Sequence, residues 1–202
     1  MSEQAPKTKR ILLNGQYLGD LVETGNAKVD VEAATQLIKD KGLYCESSRA
    51  KAMFDQAAAF GHTAADIHQA GIVQGRRRTL AFVPFIVNSS FGIELYIKTL
   101  GYMHGVDLHG HRLSRLFASL PDAARAHIDA VAPEAAARAR LEGDIRIEQC
   151  VAGLSDAFVQ WRYSYEHAWI DKFEINHALF LIEALHLACV RCGENEQKRN
   201  PA

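Results

Sequence analysis

The stretch RRRTLAFVPFIVNSSFGIELYIKTLGYMHG, residues 76–105, decides the fold. Phe82, Ile86, Ser89, Ile93, Ile97 and Leu100 recur at steps of three or four, which lines them up as one apolar stripe of a long helix. Pro84 fits such a helix only near its start, because it lacks the N–H an interior turn needs. The same periodicity continues on both sides. HRLSRLFASLP (111–121) gives a short helix with Leu113, Leu116, Phe117 and Leu120 on one face, stopped by Pro121. A further short helix covers 122–131. From Glu134 a long one runs to about Trp161, carrying Ile147, Val151, Leu154, Phe158 and Trp161. The last helix, about 174–192, is apolar nearly all round and is expected at the centre. Upstream, ESSRAKAMFDQAAAF is helical and ends at Gly61, and TAADIHQAGIVQG makes a weaker helix after it. The fold class that follows is mainly α, an antiparallel helical bundle, because short loops between long helices favour antiparallel neighbours.

The first 45 residues read differently. RILLNGQYLGDLV (10–22) is extended around Asn14-Gly15, a dipeptide that accepts the positive φ angles of a tight hairpin turn. ETGN (23–26) is a second turn signal. Asp30 then reads as the N-cap of a helix through VEAATQLIKDKG, closed by Gly42. Residues 1–45 are thus a small ββα element, too small to hold a core alone, and 46–202 are the helical body. No internal repeat or low-complexity tract interrupts them.

Composition narrows the function classes. The chain has 202 residues and a net charge of −1, so any contact with nucleic acid is expected to be local. An apolar share of 48% is enough for a globular core. No uninterrupted apolar run reaches the roughly 18–20 residues of a membrane span, and the polar start MSEQAPKTKR lacks a signal peptide's apolar stretch. A cytoplasmic location and no membrane partner are the expectation. Four cysteines, Cys45, Cys150, Cys189 and Cys192, form no dense disulfide framework. Cys189 and Cys192 make a CxxC inside an apolar helix with no second pair to complete a zinc site, so they read as buried small residues and no cofactor is expected.

The segment QWRYSYEHAW, residues 160–169, holds the chemistry of most interest. Trp161, Tyr163 and Tyr165 alternate with Arg162, Ser164 and Glu166, a period of two that unwinds a helix. Arg162 offers a planar fork of donors matched to a phosphate. His167 takes or gives a proton near neutral pH. Since RNA carries its own nucleophile, the 2′-hydroxyl, the two side chains suffice for metal-free cleavage. The plain alternative is that Arg162 pairs with Glu166 or stacks on an aromatic ring and ties a helix end down. Residue types alone leave both open.

Two stretches resemble the helical domain of the HEPN superfamily (higher eukaryotes and prokaryotes nucleotide-binding) over about residues 80–190. The first is an apolar helix with an E-L-x-x-K core, here Glu94, Leu95 and Lys98. The second is a G-H-x-L-x-x-L-F segment, here Gly110, His111, Leu113, Leu116 and Phe117. Catalytic members carry an Arg, four to six residues and a His near the junction of the last two core helices, and Arg162 and His167 match that spacing and place. The resemblance implies a homodimeric, metal-independent endoribonuclease of a toxin–antitoxin or defence system, with Arg162 on the scissile phosphate and His167 as acid/base. It implies equally a non-catalytic module that binds a nucleotide, an RNA or a protein partner. Tyr163 stands where ribonuclease members often carry a polar residue. Glu94, Lys98, Tyr163, Tyr165 and His111 are the candidate binding residues. The ββα element lies outside the resemblance and is a candidate docking edge for a protein partner.

Three further clusters have plain readings. Glu94 and Lys98 sit one turn apart, the spacing of an i,i+4 ion pair; the functional alternative is that Glu94 faces the dimer cleft and orients Arg162. HGVDLHGH gathers His104, Asp107, His109 and His111, residue types that ligate metals, but in a glycine-rich loop without fixed ligand spacing, so metal binding is the minor alternative. Arg76, Arg77 and Arg78 read as a solvated helix start, the alternative being a contact with RNA backbone or an acidic partner. His177 and His186 read as satisfied core or interface residues.

Overall fold

Asn14 and Gly15 both take positive φ, 50° and 81°, and so turn the chain back on itself. They join β1 (Thr8–Leu13) to β2 (Gln16–Val22) in an antiparallel pair whose register slips between Ile11 and Leu12. The computed structural model describes residues 7–44, 47–75, 78–143, 145–155 and 173–199. It is mainly helical, with this two-stranded sheet at the N-terminal end.

Helix α1 (Ala27–Asp40) follows the hairpin. Its N-cap is Asn26, whose side chain accepts from the Lys28 N–H at 3.0 Å, and not Asp30. Asp30 lies inside the first turn, where its carboxylate accepts from the backbone N–H of Thr24 at 2.9 Å and from its hydroxyl at 2.7 Å. The turn before the helix therefore consumes the carboxylate that the sequence suggested as a cap. Gly42, with φ of 67°, closes the helix: its N–H reaches Lys39 O and the Leu43 N–H reaches Ile38 O. The chain divides into two compact units, Met1–Ser47 and Ser48–Ala202. In the first, Leu18 is buried, whereas Leu12, Tyr17, Val22, Val29, Val31, Leu43 and Tyr44 are exposed.

The second unit is built on α3 (Arg78–Met103). Ile86, Ser89, Ile93, Ile97 and Leu100 of the anticipated stripe are fully buried. So are Phe85, Ser90, Tyr96 and Thr99 on other faces, which makes α3 a central helix. Helix α2 (Arg49–Asp66) packs along it. Gly61 does not end α2. It is a crossing point, where a Cβ would come within 3.1 Å of Ile182 and 3.3 Å of the Tyr96 hydroxyl. Past Asp66 the backbone widens into π-helical turns over Ile67–Val73.

Helices α4 (Leu113–Ala118) and α5 (Asp122–Arg138) follow. Pro133 lies within α5, so the short helix and the start of the long one expected after it are one element. That element stops at Arg138, and α6 (Ile147–Leu154) is separate. Helix α7 (Ile175–Arg199) packs on α3, α5 and α6 and buries Ala178, Phe180, Leu181, Ala184, Leu185 and Ala188. Leu80–Met103 and Ile175–Glu194 are long and apolar enough to cross a membrane by length and composition alone, a test that the core helices of a globular protein also pass; half of each is buried within the protein. Cys150, Cys189 and Cys192 are buried.

Candidate functional site

Glu94 projects from the middle of α3 and is only 1% exposed. A buried carboxylate needs compensation for the water it has lost. Two neighbouring donors supply it here. Lys98, one turn on, places Nζ 2.7 Å from Glu94 Oε1. His111, in the loop before α4, places Nδ1 3.1 Å from Oε1 and 3.2 Å from Oε2. Since the carboxylate accepts, Nδ1 is the donating nitrogen of the ring. The Lys98 side chain is 18% exposed and that of His111 67%. The cluster therefore turns an anion inward and a histidine edge outward.

The loop between α3 and α4 is what brings His111 back. Gly105 and Gly110 take positive φ, 79° and 102°, and reverse the chain. Leu108 seals the turn against Gly101, where a Cβ would come within 2.7 Å of its side chain. Leu113, Leu116 and Phe117 then anchor α4 in the core. Asp107 is held by Arg49 at 2.9 Å rather than joining the neighbouring histidines.

Of the residues singled out in the sequence, Glu94, Lys98 and His111 lie together. Arg162, Tyr163, Tyr165 and His167 lie outside the described residues, as do Arg76 and Arg77. His186 is tied into the core by a 2.9 Å hydrogen bond between Nδ1 and the Tyr96 hydroxyl. Burial, the largest cause, holds its pKa below the ordinary imidazole value, with His62 and Arg138 acting the same way and Glu183 opposing them.

A cavity of about 590 Å³ was not anticipated. It lies beside the π-helical turns, with His68 and Gln69 on one side, Arg138 and Arg140 at the end of α5, and Asn176 and Glu183 on α7. Its size suits a small ligand. Arg138 is engaged by Glu134 and Glu183. Arg140 has no ion-pair partner among the described residues and takes φ of 54°, a left-handed position that glycine usually fills. Burial lowers the pKa of His68. Only packing joins these residues, which come from three parts of the chain, so no local spacing signals them.

No family model, curated protein or solved structure matches the chain.

Proposed function

We propose that the chain is a HEPN-like helical module that acts on RNA as a homodimer in a cytoplasmic toxin or defence setting. Arg162 holds the scissile phosphate. His167 accepts the proton of the RNA 2′-hydroxyl, which attacks the adjacent phosphorus, and the 5′-oxygen leaves with a proton to give a cyclic phosphate and a free 5′-hydroxyl. Donors aimed at the charge that develops on the phosphorane carry most of the rate, and no metal is required.

One observation supports this reading. The polar residues of both resembling stretches converge on the buried carboxylate of Glu94, although His111 is 17 residues away from it in sequence. Chance helical patterning would have no need of that convergence. The test is incubation of mixed RNA in EDTA with the wild type and with His167→Ala. Wild type is expected to cut, and the variant to be slower by about 100-fold or more, the usual worth of a positioned acid/base. Equal cleavage by both, or none by wild type, removes the proposal.

The cavity lined by Arg140 favours a second reading, a module that binds a nucleotide without cutting. On that reading AMP binds the wild type, and Arg140→Ala weakens it about tenfold or more, the worth of a charge-assisted hydrogen bond. AMP binding that Arg140→Ala leaves intact counts against it.

A further inference from the structure

Outside both sites, three side chains from distant parts of the sequence meet where α3, α5 and α7 converge. His104 is the C-cap of α3. The Gly105 N–H bonds to Tyr102 O and the Val106 N–H to Gly101 O, a glycine-closed helix end that fixes the His104 backbone. His127 lies in α5 and is half-buried, and Cys192 lies in α7 and is 4% exposed. One ligand atom from each, an imidazole nitrogen or the thiol sulfur, falls within 4.8 Å of the other two. The His104 and His127 rings are 5.4 Å apart between centroids.

We propose that His104, His127 and Cys192 form a binding site for a divalent transition metal of the zinc class. Donor chemistry is the first argument. Two imidazoles and a thiolate are the borderline-soft set that zinc takes, and one that magnesium and calcium avoid. Distance is the second. Zinc bonds of about 2.05 Å to nitrogen and about 2.3 Å to sulfur at the tetrahedral angle set an N···S edge of about 3.6 Å. The Cys192 Sγ to His104 Nε2 separation is 3.6 Å. The third argument is selection among neighbours. Cys189, the other half of the CxxC, directs its sulfur to Tyr96 O at 3.9 Å. Asp107, next in the histidine-rich loop, is paired with Arg49.

On binding, the Cys192 thiol gives its proton to solvent and its sulfur bonds the metal, while both histidines donate neutral nitrogen lone pairs. Three protein ligands leave a fourth position for water or a substrate atom, the pattern of sites that do chemistry rather than only brace a fold. The metal also clamps three helices of the core, so binding stabilises the folded chain.

The test uses the full chain stripped of metal by a chelator and titrated separately with Zn²⁺ and Co²⁺. Wild type is expected to take one Zn²⁺ per chain and to melt at a higher temperature once loaded. With Co²⁺ it is expected to show a sulfur-to-cobalt charge-transfer band. His127→Ala and Cys192→Ser are expected to lose about 100-fold or more in Zn²⁺ affinity, beyond the cost of removing an outer-shell partner. His109→Ala, in the same loop as His104, is expected to bind as wild type does. No Zn²⁺ uptake by wild type overturns the proposal, as does a Co²⁺ complex without the sulfur band. Unchanged affinity in folded His127→Ala has the same consequence. The cobalt spectrum is read on wild type alone, so it decides the matter even if both ligand variants fail to fold.

Discussion

Glu94 shows what one side chain can organise. A carboxylate 1% exposed is tolerable only while its partners stay. Lys98→Met removes the closer cation and leaves the anion with His111, whose side chain is two-thirds exposed and contributes little. The expected loss is about 3 kcal/mol by urea denaturation at neutral pH. Glu94→Gln keeps the shape and an acceptor for Lys98, and its expected loss is about 1 kcal/mol. Equal losses would mean that the carboxylate is not held as a buried ion. The sequence offered the Glu94–Lys98 spacing, one helical turn, as an ion pair, and the pair is present at 2.7 Å. It had no way to show that this turn faces inward, because α3 is apolar on several sides and periodicity alone does not orient such a helix. His111 came into view through the resemblance and not through spacing.

At the scale of elements, glycine was the residue most easily misread. Gly61 looks like a helix stop, yet α2 runs through it because bare backbone is needed there. Gly92 of α3 is its counterpart, since a Cβ on it would lie 3.2 Å from Gly61 N and 3.4 Å from Phe60 Cβ. Gly92→Ala is therefore expected to cost about 1–3 kcal/mol, the usual penalty for overpacking, although alanine is the better helix former. An increase in melting temperature would refute the close crossing. The break between α5 and α6 was missed for a related reason. Apolar residues keep helical spacing across it, but the Arg140 N–H bonds to Ala137 O and the Leu141 N–H to Ala136 O, which closes α5. Gly143, with φ of 98°, was the available sign of a loop.

At the scale of the whole molecule, two half-buried histidines among the described residues are expected to contribute acid sensitivity. Burial is the chief cause that lowers the pKa of both His68 and His186. Their folded values lie below the unfolded one of about 6.5, so the unfolded chain takes up protons first as pH falls. Their contribution is complete above that value and is lost as pH drops below it. The urea midpoint is expected to be flat above about pH 7 and to fall from about pH 6.5 downward. His186→Gln is expected to flatten part of that fall. Asp30 acts lower, because the Thr24 hydroxyl and N–H hold its pKa down; its contribution is lost only below about pH 4. A midpoint that stays flat from pH 7 to 5 would contradict the assignment of the two histidines.

Local patterning determined what local physics can determine: the hairpin at Asn14-Gly15, the helix closed at Gly42, the mainly helical body and its apolar stripe on α3. Dihedral preference and the period of burial act over a few residues, so one stretch of chain is enough to read them. Tertiary structure decided which of those residues meet. Glu94 with His111, Gly61 against Gly92, the cavity around Arg140, and His104 with His127 and Cys192 all depend on how helices cross. A crossing is fixed by the summed packing of whole faces, and no short stretch of the sequence contains that sum.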